Sequence, residues 1–223
     1  MKTKAVLFDL GGTLVKNQPI PNIMKKILGT FGIERSIKEI EEARSATEKH
    51  ANIEELPILG DEFWYKWNAE TLQNLGIRDN VSSLAEKMTK LWWNHSKVEL
   101  YPDAEKTLKA LKQNDLKVGL ITNGLQSDVK EILPRTGLEN FFDIEVTSDL
   151  VKKMKPNREI FLYALEKLGV SPHEAIFVGD ILEIDYEGAQ ECGLRAFLID
   201  REKSVKGESI QKIESLTELL RHL

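Results

Sequence analysis

Carboxylates, a hydroxyl and an ammonium group recur in this sequence just past apolar runs. Asp9 closes the run in "VLFDLGGTLV" and is followed by Leu10, Gly11 and Gly12. Thr122, Asn123 and Gly124 come after "KVGLI", Lys155 with Pro156 lies after the next run, and Gly179 and Asp180 come after "AIFV", with Asp185 in the same loop. Three carboxylates, Asp9, Asp180 and Asp185, brought within a few ångströms would repel one another unless protons are taken up or a cation is shared. Oxygen donors with no His or Cys among them select Mg²⁺, which keeps several waters and bridges to substrate phosphates. Lys155, the Thr122 hydroxyl and the Asn123 amide then supply donors for phosphoryl oxygens on which charge develops. The strand ends thus converge a nucleophile-type carboxylate, a hydroxyl with backbone amides, an ammonium group and two more acids.

For those groups to meet, the apolar runs must be neighbouring strands of one open parallel sheet, whose ligands bind beyond the carboxyl ends of its strands. The runs Lys4 to Phe8, Lys117 to Ile121, Phe142 to Val146, Ala175 to Val178 and Leu194 to Ile199 predict five such strands. Helical patterns alternate with them at Asp103 to Asn114, Ser127 to Leu133, Asn157 to Leu168 and Asp185 to Cys192, which places helices on both faces. Asn157 suits a helix start, Gly169 and Gly193 suit helix ends, and Pro134 is expected to end or kink its helix. From Pro19 to His95 the periodicity is helical throughout, with helices expected at Pro21 to Phe31, Ser36 to His50, Asp61 to Leu75 and Val81 to His95. These four form a small bundle with Trp64, Trp67, Trp92 and Trp93 as core rings.

The chain has 223 residues, 41% of them hydrophobic, enough to bury a full core. A net charge of −5 counts against nucleic acid as a partner and means that any phosphate must be drawn by local positive groups. No apolar run approaches the roughly 20 residues that cross a bilayer, and the first strand begins with no cleavage-type segment before it, so a soluble cytoplasmic protein with no membrane partner is expected. The single cysteine, Cys192, excludes an internal disulfide and a cysteine-built zinc site, and is expected to be a packed helix residue. His95, His173 and His222 lack ligand spacing, and Asp128, Glu183 and Glu187 are expected to be solvated. Nothing in the sequence fixes the oligomeric state.

The ordered segments "FDLGGTL", "ITNG", "KP" and "GDILEID" resemble the motifs of the haloacid dehalogenase superfamily. The resemblance implies an α/β fold: a Rossmann-like core of residues 1–16 and 97–223, and an inserted helical cap of residues 17–96. It further implies that Asp9 is the nucleophile, that Thr122 binds phosphate, that Lys155 neutralises nucleophile and transferring group, and that Asp180 and Asp185 support Mg²⁺ with Asp9 and the Gly11 carbonyl.

Most phosphatases of that family carry a second aspartate where this chain has Gly11, and that acid protonates the leaving oxygen. Glycine retains the backbone carbonyl, so metal binding survives while proton transfer does not. The leading expectation is a Mg²⁺-dependent phosphatase that forms an aspartyl-phosphate, slow or aided by a cap residue such as His50, Glu54 or Glu55. Two other readings are a 2-haloacid dehalogenase, whose halide leaves without a proton, and a non-catalytic phosphate-binding regulatory protein. Dehalogenases of the family lack the acid seen here as Asp180. Carbon–phosphorus hydrolases also lack the second aspartate but need a cap lysine, for which Lys16, Lys25, Lys26 and Lys49 are undistinguished candidates.

Overall fold

The computed structural model describes residues 2–16, 18–207 and 209–223. The chain divides into two compact units, Met1–Asn17 with Val98–Leu223, and Gln18–Lys97.

Among its described residues the first unit is built on eight strands: β1 (Ala5–Phe8), β2 (Val15–Lys16), β3 (Glu99–Leu100), β4 (Lys117–Thr122), β5 (Ile144–Thr147), β6 (Ala175–Gly179), β7 (Arg195–Ile199) and β8 (Lys212–Ile213). Six of them form one sheet in the order β5-β4-β1-β6-β7-β8, every pairing parallel. β2 and β3 pair antiparallel where the chain leaves this unit and returns to it. The four residues of β1 are fully buried because successive side chains point to opposite, covered faces. Val6 and Phe8 join one apolar layer with Leu108 and Leu111 of the helix Ala104–Gln113 and Val129 and Leu133 of the helix Gln126–Thr136. Ala5 and Leu7 join the other with Phe161 and Leu165 of the helix Arg158–Leu168, where Phe161 also meets Phe177 edge-to-face at 5.2 Å. Such a ring pair adds about 0.5–1.5 kcal/mol to the area it buries.

The sixth strand departs from expectation. Lys212–Ile213 is two residues long with one buried apolar side chain, too short for any periodicity to reveal, and it extends the edge beyond β7. Pro134 does not end its helix, which continues to Thr136 and stops at Gly137 in the left-handed region. The segment expected as one helix from Asp185 begins instead as a wide turn, Leu182–Glu187, followed by the short helix Gly188–Glu191. Asn157 caps its helix by accepting from the Glu159 amide, and Cys192 is buried.

The second unit holds four long helices, Ile20–Thr30, Ile37–Glu48, Asp61–Asn74 and Val81–His95, with short turns at Ile53–Glu55 and Leu56–Leu59. Ser36 and Glu39 form a capping box at the start of the second helix. Its core is aliphatic, with Met24, Ile27, Leu28, Ile40, Leu72 and Met88 fully buried. Of the four tryptophans only Trp67 is buried; Trp64, Trp92 and Trp93 are half-exposed. Interior space goes instead to a polar set in which the Thr47 and Thr71 hydroxyls share a bond of 3.0 Å and Asn74 donates to Thr47 at 3.1 Å. Among the described residues no helix is long and apolar enough to cross a membrane.

Candidate active site

Asp9 is the first residue past β1. Its amide donates to the Val178 carbonyl of β6 at 2.9 Å, so the neighbouring strand fixes the direction in which the chain leaves the sheet. Lys155 Nζ lies 2.6 Å from Asp9 Oδ1 and 2.6 Å from Asp185 Oδ1, buried between the two carboxylates and 5.3 Å from the centre of the Phe177 ring. Asp185 Oδ2 accepts from the Ile181 amide at 3.1 Å. Both of its oxygens thus carry one hydrogen bond and keep a second lone pair.

Two glycines let the acids approach. A Cβ on Gly179 would lie 2.4 Å from the Asp185 Cβ and Cγ, so only glycine lets that carboxylate fold back against the end of β6. Gly12 has φ +89°, and a Cβ there would lie 2.1 Å from Asp180 Oδ2. The Thr13 hydroxyl then donates to Asp180 Oδ1 at 3.4 Å. Ligand oxygens of Asp9, Asp180 and Asp185 all lie within 4.8 Å of one another.

Three carboxylates against one ammonium leave two negative charges uncompensated when all are ionised. Burial is the chief force on Asp9 and lifts its carboxyl to about 7, against the pull of Lys155 and with added push from Asp185 and Asp180. Asp180 is likewise raised, first by burial and then by Asp185. For Lys155 burial acts to lower the value, but Asp9 and Asp185 outweigh it and hold the ammonium above its ordinary range. The donor set therefore fits a hard divalent cation: oxygen ligands only, converging, and short of positive charge.

Thr122 ends β4, next to β1 in the sheet, and is buried. Its hydroxyl accepts from the Gly124 amide at 3.1 Å, which leaves its proton for an acceptor on a ligand. That amide is thus committed, as are those of Leu125, which donates to Asp128, and Gln126, which donates to Asp149. Asp128 accordingly caps a helix start rather than lying free in solvent. Asn123 uses its side chain on Lys155, donating to the lysine's carbonyl at 3.0 Å and accepting from its amide at 2.7 Å. Gly11 is half-buried in the loop after β1 and bridges to Val15. Glu183, His50, Glu54 and Glu55 are exposed. Sequence reasoning missed Thr13 and the clamp of Asn123 on Lys155; the position of Thr13 inside "FDLGGTL" was the available signal.

A family model described as haloacid dehalogenase-like hydrolase matches residues 3–193. The chain belongs to this family. Over 214 residues it is 28% identical to the glyceraldehyde 3-phosphate phosphatase of Methanothermobacter thermautotrophicus, a match covering 89% of this chain and 86% of the relative. A shorter match, 41% identical over 103 residues, relates it to the glyceraldehyde 3-phosphate phosphatase of Methanopyrus kandleri; it covers 46% of this chain and less than half of that protein, 44%. Among solved structures, a phosphatase of the family from Thermococcus onnurineus has a TM-score of 0.68 and 30% identity, over 99% of this chain and 97% of that one. The six-stranded parallel sheet with helices on both faces is the α/β fold of this haloacid dehalogenase-like hydrolase.

Proposed function

We propose that this hydrolase is a Mg²⁺-dependent phosphatase that acts on a small phosphorylated metabolite through an aspartyl-phosphate at Asp9, with residues 17–96 as a helical cap. The carrying observation is the buried Lys155 ammonium held between Asp9 and Asp185, with Asp180 completing a cluster short of positive charge. The phosphatases among its relatives support the substrate class.

In the first step Asp9 attacks phosphorus through the carboxylate oxygen that Lys155 does not hold, and the bond from phosphorus to the leaving oxygen breaks. In the second, water attacks the same phosphorus, the bond to Asp9 breaks and inorganic phosphate departs. Lys155 opposes the burial that favours the proton on Asp9 and would face the transferring group, and Thr122 donates its hydroxyl proton to a phosphoryl oxygen. A bound Mg²⁺, held by Asp9, Asp180, Asp185 and the Gly11 carbonyl, supplies the missing positive charge. Asn123 serves chiefly by holding the Lys155 backbone.

Gly11 has no side chain to protonate a leaving oxygen, help that is worth about 10²–10⁴ in rate. Alkyl phosphates, glyceraldehyde 3-phosphate among them, leave as poor alkoxides and suffer most; aryl and acyl phosphates leave as stable anions and suffer least. The test is a parallel assay of p-nitrophenyl phosphate, an acyl phosphate, an alkyl phosphate and 2-chloropropionate, each with Mg²⁺ and with chelator. Mg²⁺-dependent phosphate release that is fastest from the aryl and acyl esters and abolished in Asp9→Asn is expected. Chloride release in chelator would establish the dehalogenase reading, which the missing acid at Gly11 favours and Asp180 opposes. Beryllium fluoride trapped at Asp9 with no turnover on any substrate would establish a binding protein. Gly11→Asp is expected to speed alkyl-phosphate hydrolysis; no gain in a folded, metal-binding variant removes the lost acid as the explanation.

A further inference from the structure

Arg201 lies outside the acid cluster, just past β7, yet it reaches the loop that follows Asp9. Its Nη2 donates to the Thr13 carbonyl at 2.9 Å and to Asp103 Oδ1 at 3.1 Å, and its Nη1 donates to Asp103 Oδ2 at 2.9 Å. The guanidinium stacks on the Tyr101 ring, 3.7 Å from its centre. Asp103 is buried and is itself fixed by accepting from the Leu216 amide at 2.8 Å, so the fork rests on an immobile base. Arg201 Nε is buried without a hydrogen-bond partner among the described residues, as befits a side chain set in place by its two terminal nitrogens.

Thr13 is fully buried, and its hydroxyl touches Asp180 while its carbonyl is held by Arg201. The Asp180 carboxylate also occupies the space that a side chain on Gly12 would fill. Gly12 therefore leaves room for Asp180, Thr13 holds one of its oxygens, and Arg201 fixes the peptide that carries that hydroxyl. We propose that Arg201, braced by Asp103 and Tyr101, is a positioning residue that orients Asp180 as a metal ligand through Thr13. This inference rests on the Mg²⁺ reading above. It gives the fork a role that a point charge does not fill: lysine at 201 keeps the positive charge but cannot bond Asp103 and Thr13 in one plane.

The test is calorimetric titration of Mg²⁺ into the full chain without substrate, for wild type, Arg201→Lys, Asp103→Asn and Thr13→Val, well below each protein's melting temperature. Residues that orient metal ligands cost about 10–100-fold in affinity when changed. Because Arg201 acts through Thr13, about tenfold weaker Mg²⁺ binding is expected in Arg201→Lys. Thr13→Val, which removes only the hydroxyl link, is expected to weaken binding while melting near wild type. Should the Arg201 variant fail to fold, Asp103→Asn, which keeps an acceptor for the Leu216 amide, is read in its place. Mg²⁺ affinity within twofold of wild type in the folded variants, with only the melting temperature lowered, overturns the proposal and leaves Arg201 a structural brace. Wild-type protein that binds no Mg²⁺ overturns the functional reading together with this one.

Discussion

Replacing Lys155 by methionine keeps an unbranched apolar side chain one atom shorter and removes the charge from between two buried carboxylates. The Lys155 side chain is 2% exposed, and those of Asp9 and Asp185 are 10% and 1% exposed, so water does little to compensate. Breaking a buried pair from one side costs about 3–5 kcal/mol, because the surviving charge has no partner. At about 2–4 °C per kcal/mol for a chain of this size, the melting temperature of the core unit should fall by about 6–20 °C. All four tryptophans lie in the helical unit, so calorimetry or far-UV circular dichroism, rather than tryptophan emission, reads the transition.

The loss must also depend on pH. Asp9 keeps its proton to about pH 7 in the folded protein, against an ordinary value of 3.8, so between those values the folded state binds more protons than the unfolded one. Stability contributed by that group is complete below about pH 4 and is lost as pH rises through about 7. Removing the ammonium lifts Asp9 further and extends this window upward. The gap between Lys155→Met and wild type, measured by urea unfolding without metal, should be larger at pH 8 than at pH 5. A gap under about 1 kcal/mol at both values would refute the claim that the ammonium is what keeps the two carboxylates tolerable.

Other changes test the parts separately. Gly12→Ala places a methyl where Asp180 Oδ2 now lies and adds left-handed strain, so Mg²⁺ binding should be lost in a chain that still folds; calorimetric titration reads it. Asn123→Ala removes both bonds to the Lys155 backbone, and kcat for p-nitrophenyl phosphate should fall about tenfold or more with little change in the Trp emission transition of the helical unit. Mg²⁺ added to wild type should raise the melting temperature more at pH 8 than at pH 5, since at the lower pH it competes with the proton on Asp9.

The strands that carry the site were legible because each is buried on both faces and so reads as an unbroken apolar run; Ala5–Phe8, Lys117–Thr122 and Ala175–Gly179 are of this kind. Lys212–Ile213 pairs on one side only and holds one apolar residue, so it carries no such signature. Helix caps at Asn157 and Gly169 are local chemistry, and local chemistry is visible in sequence. What was not visible is what depends on distant pairing. The bond from Arg201 to Thr13 joins residues 188 apart, and Asn123 met Lys155 only once the loops after β4 and β5 had converged. The half-exposed tryptophans were misread for a related reason: helical spacing marks a face but does not say whether aliphatic residues have already filled it.

Gly11 ties the electrostatics to the chemistry. A carboxylate at that position would stand close to an acid cluster that already lacks positive charge and holds a proton on Asp9 near neutrality. In the metal-free protein a fourth acid would push Asp9 higher still and deepen the loss of stability on raising the pH. With Mg²⁺ bound, the same acid would stand beside a neutralised cluster, free to give its proton to an alkoxide. The gain expected from Gly11→Asp is therefore confined to saturating Mg²⁺, and at low Mg²⁺ the substitution should slow the enzyme.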